Sequence, residues 1–102
     1  MVRRFICCKF AEEVDDDGVQ SHFDGLAALA ERSELVKNYQ AVKTIPDDFG
    51  RPAEYDAIHT LDFDSVDSLV AFLDEAEHKK FLEEHEGLWS DMLVLNGVEE
   101  AP

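Results

Sequence analysis

Positive charge is what this chain lacks most. Nine lysines and arginines stand against 24 aspartates and glutamates, for a formal net charge of −15. That surplus repels phosphate backbones and anionic lipid surfaces, so nucleic acid and membranes are excluded as expected partners. The acidity itself has two readings: a solvated surface that keeps a small protein soluble, or a saline habitat or capture of cations. Long apolar runs are missing too, and none approaches the roughly 18 residues that cross a bilayer. The opening MVRRFICCKF has no small-residue cleavage site and does not read as a signal peptide, so the expected compartment is the cytoplasm.

Cysteine is scarce, with only the adjacent Cys7 and Cys8. Neighbours in a strand leave opposite faces and cannot easily join in a disulfide, so both read as small buried hydrophobes of a reducing compartment. There is no CxxC and no paired Cys–His spacing, which leaves no zinc motif. Asp15, Asp16 and Asp17 lack the alternating ligands and closing glutamate of a calcium loop. His78 and His85 share a helix face but stand about 10 Å apart by helix rise, too far to chelate one ion together. No metal and no cofactor is therefore expected. Nucleophile elbow, phosphate loop and HExxH helix are all absent.

What is present is a regular alternation of strand and helix in 102 residues, enough for one domain over residues 1–102. The organising stretch is Tyr55 to Trp89. Tyr55, Ala57, His59, Leu61 and Phe63 share one strand parity, and the other holds Asp56, Thr60 and Asp62 with Ile58 as its one apolar member, so one side is more buried. Asp64 or Ser65 caps a helix whose Val66, Leu69, Val70 and Leu73 form a stripe at i, i+3, i+4 and i+7. Glu75 to Glu77 interrupt it, predicting a bend near Ala76 before a second stripe of His78, Phe81, Leu82, His85, Leu88 and Trp89.

Upstream, Val2 to Phe10 is a strand apolar on both faces: Arg4, Ile6, Cys8 and Phe10 on one, Phe5 and Cys7 on the other. A helix over about Val19 to Leu35 follows the aspartates, with Val19, Phe23, Leu26 and Ala30 inward, Leu29 beside them, and His22 at the boundary or surface. Tyr39 to Ile45 is the second strand. The loop from Pro46 to Glu54 carries Phe49 and Arg51, which either close over a ligand or only pack. Asp91 to Val98 is the fourth strand. The order β-α-β-β-α-β is the ferredoxin-like arrangement, an α+β fold with an antiparallel sheet.

A strand ending in Phe63-Asp64-Ser65, an aromatic at Phe72 and the His-x-x-Phe of His78 to Phe81 resemble the stress-responsive α/β-barrel (Dabb) family, as do Lys9-Phe10 and the closing run Met92 to Val98. The resemblance implies a dimeric α/β barrel, a homodimer in which two sheets form one barrel. It also implies that Arg4, Ile6, Cys8 and His59 face the barrel interior, joined by Phe72, His78 and Asn96, as the lining of a site for a small apolar ligand. Each polar member has a plainer reading: His59 as a core histidine, Arg4 at a strand end, His78 as a fold-stabilising group.

His78 is the best catalytic candidate. In polyketide-cyclising members that this sequence resembles, the matching histidine works with a tyrosine, a strand histidine and a last-strand acid. Those positions here are Phe72, Ala57 and Asn96, and phenylalanine offers no donor to a developing enolate. The expectation is a small-molecule-binding protein without established catalysis. The alternative is a cofactor-independent enzyme of the same fold, polyketide cyclase-like or monooxygenase-like, and a purely assembling module is the third class.

Overall fold

The computed structural model describes residues 1–100. Its elements are β1 (Val2–Phe10), α1 (Asp16–Arg32), β2 (Asn38–Lys43), β3 (Ala57–Phe63), α2 (Val66–Leu73), α3 (Ala76–His85), a 3₁₀ turn (Glu86–Leu88) and β4 (Trp89–Val98). The strands form one sheet in the order β2-β3-β1-β4, and every neighbouring pair is antiparallel. This is the ferredoxin-like order expected from the alternation of periods, with the three helices covering one face.

The helix boundaries follow local chemistry. Asp15 caps α1, its carboxylate accepting from Gly18 N at 2.8 Å, and Asp16 and Asp17 occupy the first turn, where negative charge meets the positive end of the helix. The helix therefore starts and ends three residues earlier than the spacing suggested. Ser65 caps α2 by accepting from Ser68 N at 3.1 Å. The interruption at Glu75 is a true break between α2 and α3. The Glu75 carboxylate accepts from the buried Ser33 hydroxyl at 2.6 Å, and Nδ1 of His78 donates to the free carbonyl of Leu73 at 3.1 Å. His78 thus satisfies the C-terminal end of α2 across the break.

The core lies between sheet and helices. Ala57, His59, Leu61 and Phe63 are fully buried on the parity expected, against Leu26, Leu29, Ala30, Leu69, Phe72 and Phe81. Two stripe assignments are corrected. In α2 the inward residues are Leu69 and Phe72, while Val66 and Val70 are more than half exposed, because the chain leaves β3 with the Leu69–Phe72 edge turned to the sheet. In α1 the buried stripe is His22, Leu26, Leu29 and Ala30. His22, expected at a boundary, is fully buried.

The fourth strand starts at Trp89 rather than Asp91. Lys9 pairs with Asp91 and Phe10 with Trp89, so Ser90 is an extra residue in a bulge, and its hydroxyl donates to the carbonyls of Lys9 and Phe10 at 3.3 and 3.4 Å. The bulge flips the parity, so Trp89 joins Met92 and Val94 on the helix-covered face. On the other face, Phe5, Val42, Leu93 and Leu95 stay exposed. There Asp62 is held by Arg3 through bonds of 2.7 and 3.2 Å.

Candidate functional site

Between the sheet and α1, α2 and α3 lies a partly open cavity of about 50 Å³, lined by Arg4, Ile6, His22, Leu26, Phe72, His78, Phe81, Leu82, Trp89, Met92 and Val94. Four of the residues expected at a site, Arg4, Ile6, Phe72 and His78, therefore meet here. They do so within one chain, beneath the helices. The expectation that this strand face looks into a barrel interior is corrected, since the same parity that carries Ile6 and Cys8 packs on α1 and α3.

The polar groups of the cavity are few. Arg4 donates from Nη1 to Asn96 Oδ1 at 3.0 Å. Asn96 orients the guanidinium and is itself exposed rather than a lining residue. Arg4 Nε and Trp89 Nε1 are buried donors without a protein partner among the described residues. Burial lowers the Arg4 pKa, though an arginine stays protonated in a protein. Burial also lowers that of His78, and the Arg4 charge adds to this against the bond to the Leu73 carbonyl. Because that bond takes the Nδ1 hydrogen, Nε2 of His78 is an acceptor. Its ring lies 5.1 Å from that of Phe72.

Cys8 and His59 do not line this cavity. They lie behind His22 in a second buried cluster with Phe10 and Ala57. Cys8 Sγ is 4.0 Å from His22 Nε2, and the ligating atoms of Cys8, His22 and His59 all lie within 4.8 Å of one another. His59 Nδ1 is 2.8 Å from the Tyr39 hydroxyl, while His59 Nε2 and His22 Nδ1 have no partner among the described residues. Burial pushes the Cys8 thiol up to about 12 and both histidines down to about 4, with the neighbouring imidazoles adding to the effect at His22.

Sequence reasoning missed His22, Trp89 and Tyr39. For His22 the signal was present: it stands four residues before Leu26 and seven before Leu29, the spacing of the buried stripe. For Trp89 there was none, because the bulge at Ser90 is visible only in the pairing. Phe49 and Arg51 stay in their loop. Phe49 is 83% exposed beneath the Arg51 guanidinium at 5.1 Å, and neither lines the cavity.

Among solved structures, a protein of Arabidopsis thaliana matches with a TM-score of 0.89 at 18% identity, over 100% of this chain and 98% of that one. The hydroxynitrile lyase of Passiflora edulis matches at 0.88 and 15% identity, over 98% and 94%. A dimeric ferredoxin-like protein of unknown function from Thermobifida fusca matches at 0.80 and 20%, over 96% and 90%. At these identities the likeness is one of fold. No curated protein matches the sequence. Residues 2–97, however, match the family described as the stress responsive A/B barrel domain, and with nearly the whole chain inside that match, this protein belongs to the Dabb family.

Proposed function

We propose that the chain is a homodimeric binding protein whose cavity takes a small, mainly apolar molecule carrying one oxygen acceptor, such as a carbonyl or carboxylate. The observation that carries this reading is the pair of buried, unpartnered donors, Arg4 Nε and Trp89 Nε1, in a cavity whose other walls are apolar apart from His22 and His78. An unsatisfied buried donor costs about 1–3 kcal/mol, and a ligand oxygen accepting from either donor removes that cost. Apolar walls with a few placed polar groups are the usual composition of a small-ligand site. The volume of about 50 Å³ limits a ligand that enters without rearrangement to a few heavy atoms, and a larger one, cyclohexanone and hexanoate included, requires the lining side chains to move.

Binding is favoured over catalysis by what surrounds His78. Its Nδ1 is committed to the Leu73 carbonyl, and Phe72 beside it has no donor. A general base needs both an orienting partner and a group that stabilises the charge it creates. The Leu73 carbonyl supplies the first. Phe72, whose ring lies 5.1 Å from that of His78, does not supply the second, which leaves only the Arg4 and Trp89 donors that this reading gives to the bound oxygen.

Dimerisation is supported by the sheet face opposite the helices, where Phe5, Val42, Leu93 and Leu95 are 36–56% exposed, and by the Thermobifida fusca relative described as dimeric. Contiguous exposed apolar surface of this kind marks an interaction site. Light scattering after size exclusion should give twice the 11.5 kDa chain mass, and a clean monomer at micromolar concentration would overturn the dimer.

Binding is tested through Trp89, the single tryptophan. Titration with cyclohexanone or hexanoate should change its fluorescence saturably, and Arg4→Met should weaken hexanoate binding at least tenfold. Equal responses to benzene and to the oxygen-bearing probes would refute the assignment of the two donors.

A further inference from the structure

We propose that Cys8, His22 and His59 form a buried three-coordinate site for a soft monovalent metal ion, copper(I). The three come from β1, α1 and β3, and each is fully buried. Their ligating atoms all lie within 4.8 Å of one another, with Cys8 Sγ 4.0 Å from His22 Nε2. Metal–sulfur and metal–nitrogen bonds of about 2.3 and 2.0 Å put donors about 3.5–3.8 Å apart around a trigonal ion. Closing on such an ion therefore requires movements on the order of 1 Å.

A second observation points to a ligand. His59 Nε2 is a fully buried ring nitrogen without a partner among the described residues, while Nδ1 of the same ring is engaged with the Tyr39 hydroxyl at 2.8 Å. With Nδ1–H donating to the phenol oxygen, Nε2 carries a lone pair and nothing to share it with. An outer hydrogen bond of this kind fixes the tautomer and ring angle of a ligating histidine. A plain core triad accounts for the Cys8–His22 contact but not for that unused nitrogen.

Charge and donor number select the ion. The surroundings are Phe10, Phe23, Phe81, Trp89 and Ala57, with no carboxylate among the three ligating groups and Asp56 acting on Cys8 through its charge. One thiolate and one monovalent cation make a neutral complex, whereas a divalent ion would leave a positive charge in a dry apolar site. A fourth donor is not at hand. His85 uses Nδ1 on the Phe81 carbonyl at 3.0 Å, and its Cε1–Nε2 edge packs against Gly25. Thiolate and imidazole in low coordination suit copper(I). Binding is a substitution without redox change: the Cys8 S–H bond breaks, the sulfur binds the copper(I), and the proton leaves to solvent.

The test is anaerobic titration of the reduced 102-residue chain against a chromophoric copper(I) chelator. Wild type and Cys7→Ser, whose altered side chain lies on the opposite face, should each take one copper(I) per chain. Cys8→Ser and His59→Leu should lose at least 100-fold in affinity, and Tyr39→Phe about 10–100-fold, as outer-sphere partners do. X-ray absorption on the loaded wild type should show one sulfur and two nitrogen neighbours, a readout independent of whether any variant folds. No uptake by wild type, uptake unchanged in Cys8→Ser, loss in Cys7→Ser, or preferential one-equivalent binding of zinc(II) would each overturn the proposal.

Discussion

The packing of α1 on α3 makes a sharp prediction at Gly25, in the middle of α1. An ideal Cβ there would stand 2.7 Å from His85 Cε1, 2.9 Å from its Nε2 and 3.4 Å from Phe81 Cε1. The His85 ring is not free to retreat: Nδ1 donates to the Phe81 carbonyl at 3.0 Å, and the ring stacks on Phe81 at 4.5 Å and 23°. Alanine in an exposed helix interior would be favourable over glycine by about 1 kcal/mol. Overpacking of a filled contact costs about 1–3 kcal/mol, so Gly25→Ala should be destabilising by about 1 kcal/mol net. In a His85→Ala background the clash is gone, and the same substitution should become stabilising by up to about 1 kcal/mol. Urea unfolding of the four proteins at one fixed concentration gives the coupling energy directly. It should be about 2 kcal/mol, the overpacking cost that loss of the His85 ring removes. A coupling near zero, or a Gly25→Ala protein more stable than wild type, would refute the argument that the closeness of the two helices depends on this glycine.

Three further expectations follow from the charges and the cavity. Asp62 is held below the usual carboxylate range chiefly by its hydrogen bond to Arg3, so its contribution to stability is present above about pH 4, the ordinary aspartate value, and is lost as pH falls through its lower folded value. Acid titration of the urea midpoint should show this, with a shallower fall in Asp62→Asn, and identical slopes would rule it out. The net charge of −15 is little relieved by the six ion pairs among the described residues, which are mostly exposed, so melting temperature should rise with sodium chloride as self-repulsion is screened; a flat response, or a rise only with divalent cations, would point to local pairing or a specific cation site. A linear tetraketide thioester should not be cyclised faster than in buffer by wild type or by His78→Ala, and turnover that vanishes in the variant would show that the loss of partners at Phe72, Ala57 and Asn96 had been misjudged.

The fold could be read because its determinants are local. Ser65 caps a helix wherever it stands, three acidic residues mark the start of α1, and the acidic Glu75 and Glu77 around Ala76 interrupt a stripe in any context. The parity of Ala57, His59, Leu61 and Phe63 names a buried strand face without knowledge of what covers it. The site was only half visible, because it depends on contacts that no spacing encodes. Parity grouped Arg4, Ile6 and Cys8, but the cavity stops at His22, leaving Cys8 and His59 on its far side. Reading histidine as polar removed His22 from the α1 stripe, although burial as a neutral ring makes it the junction between cavity and Cys8 cluster. The Trp89 side chain joins the lining through a one-residue bulge. Lys79 illustrates the same limit on the surface: the i, i+4 spacing puts Glu83 beside it on one helix face, yet it reaches Asp74 at 3.1 Å, because the break before α3 brings that carboxylate back within range.

The central claim is that Arg4 Nε and Trp89 Nε1 are waiting donors for a ligand oxygen in the cavity beneath the helices. A crystal structure of the protein soaked with cyclohexanone tests it most directly. The ring should lie among Ile6, Leu26, Phe72 and Val94, with the carbonyl oxygen at hydrogen-bond distance, about 2.7–3.2 Å, from one of the two donors. Cyclohexanone found only in the open groove lined by Gly25, Arg32 and Lys80, with the cavity unchanged, would contradict it.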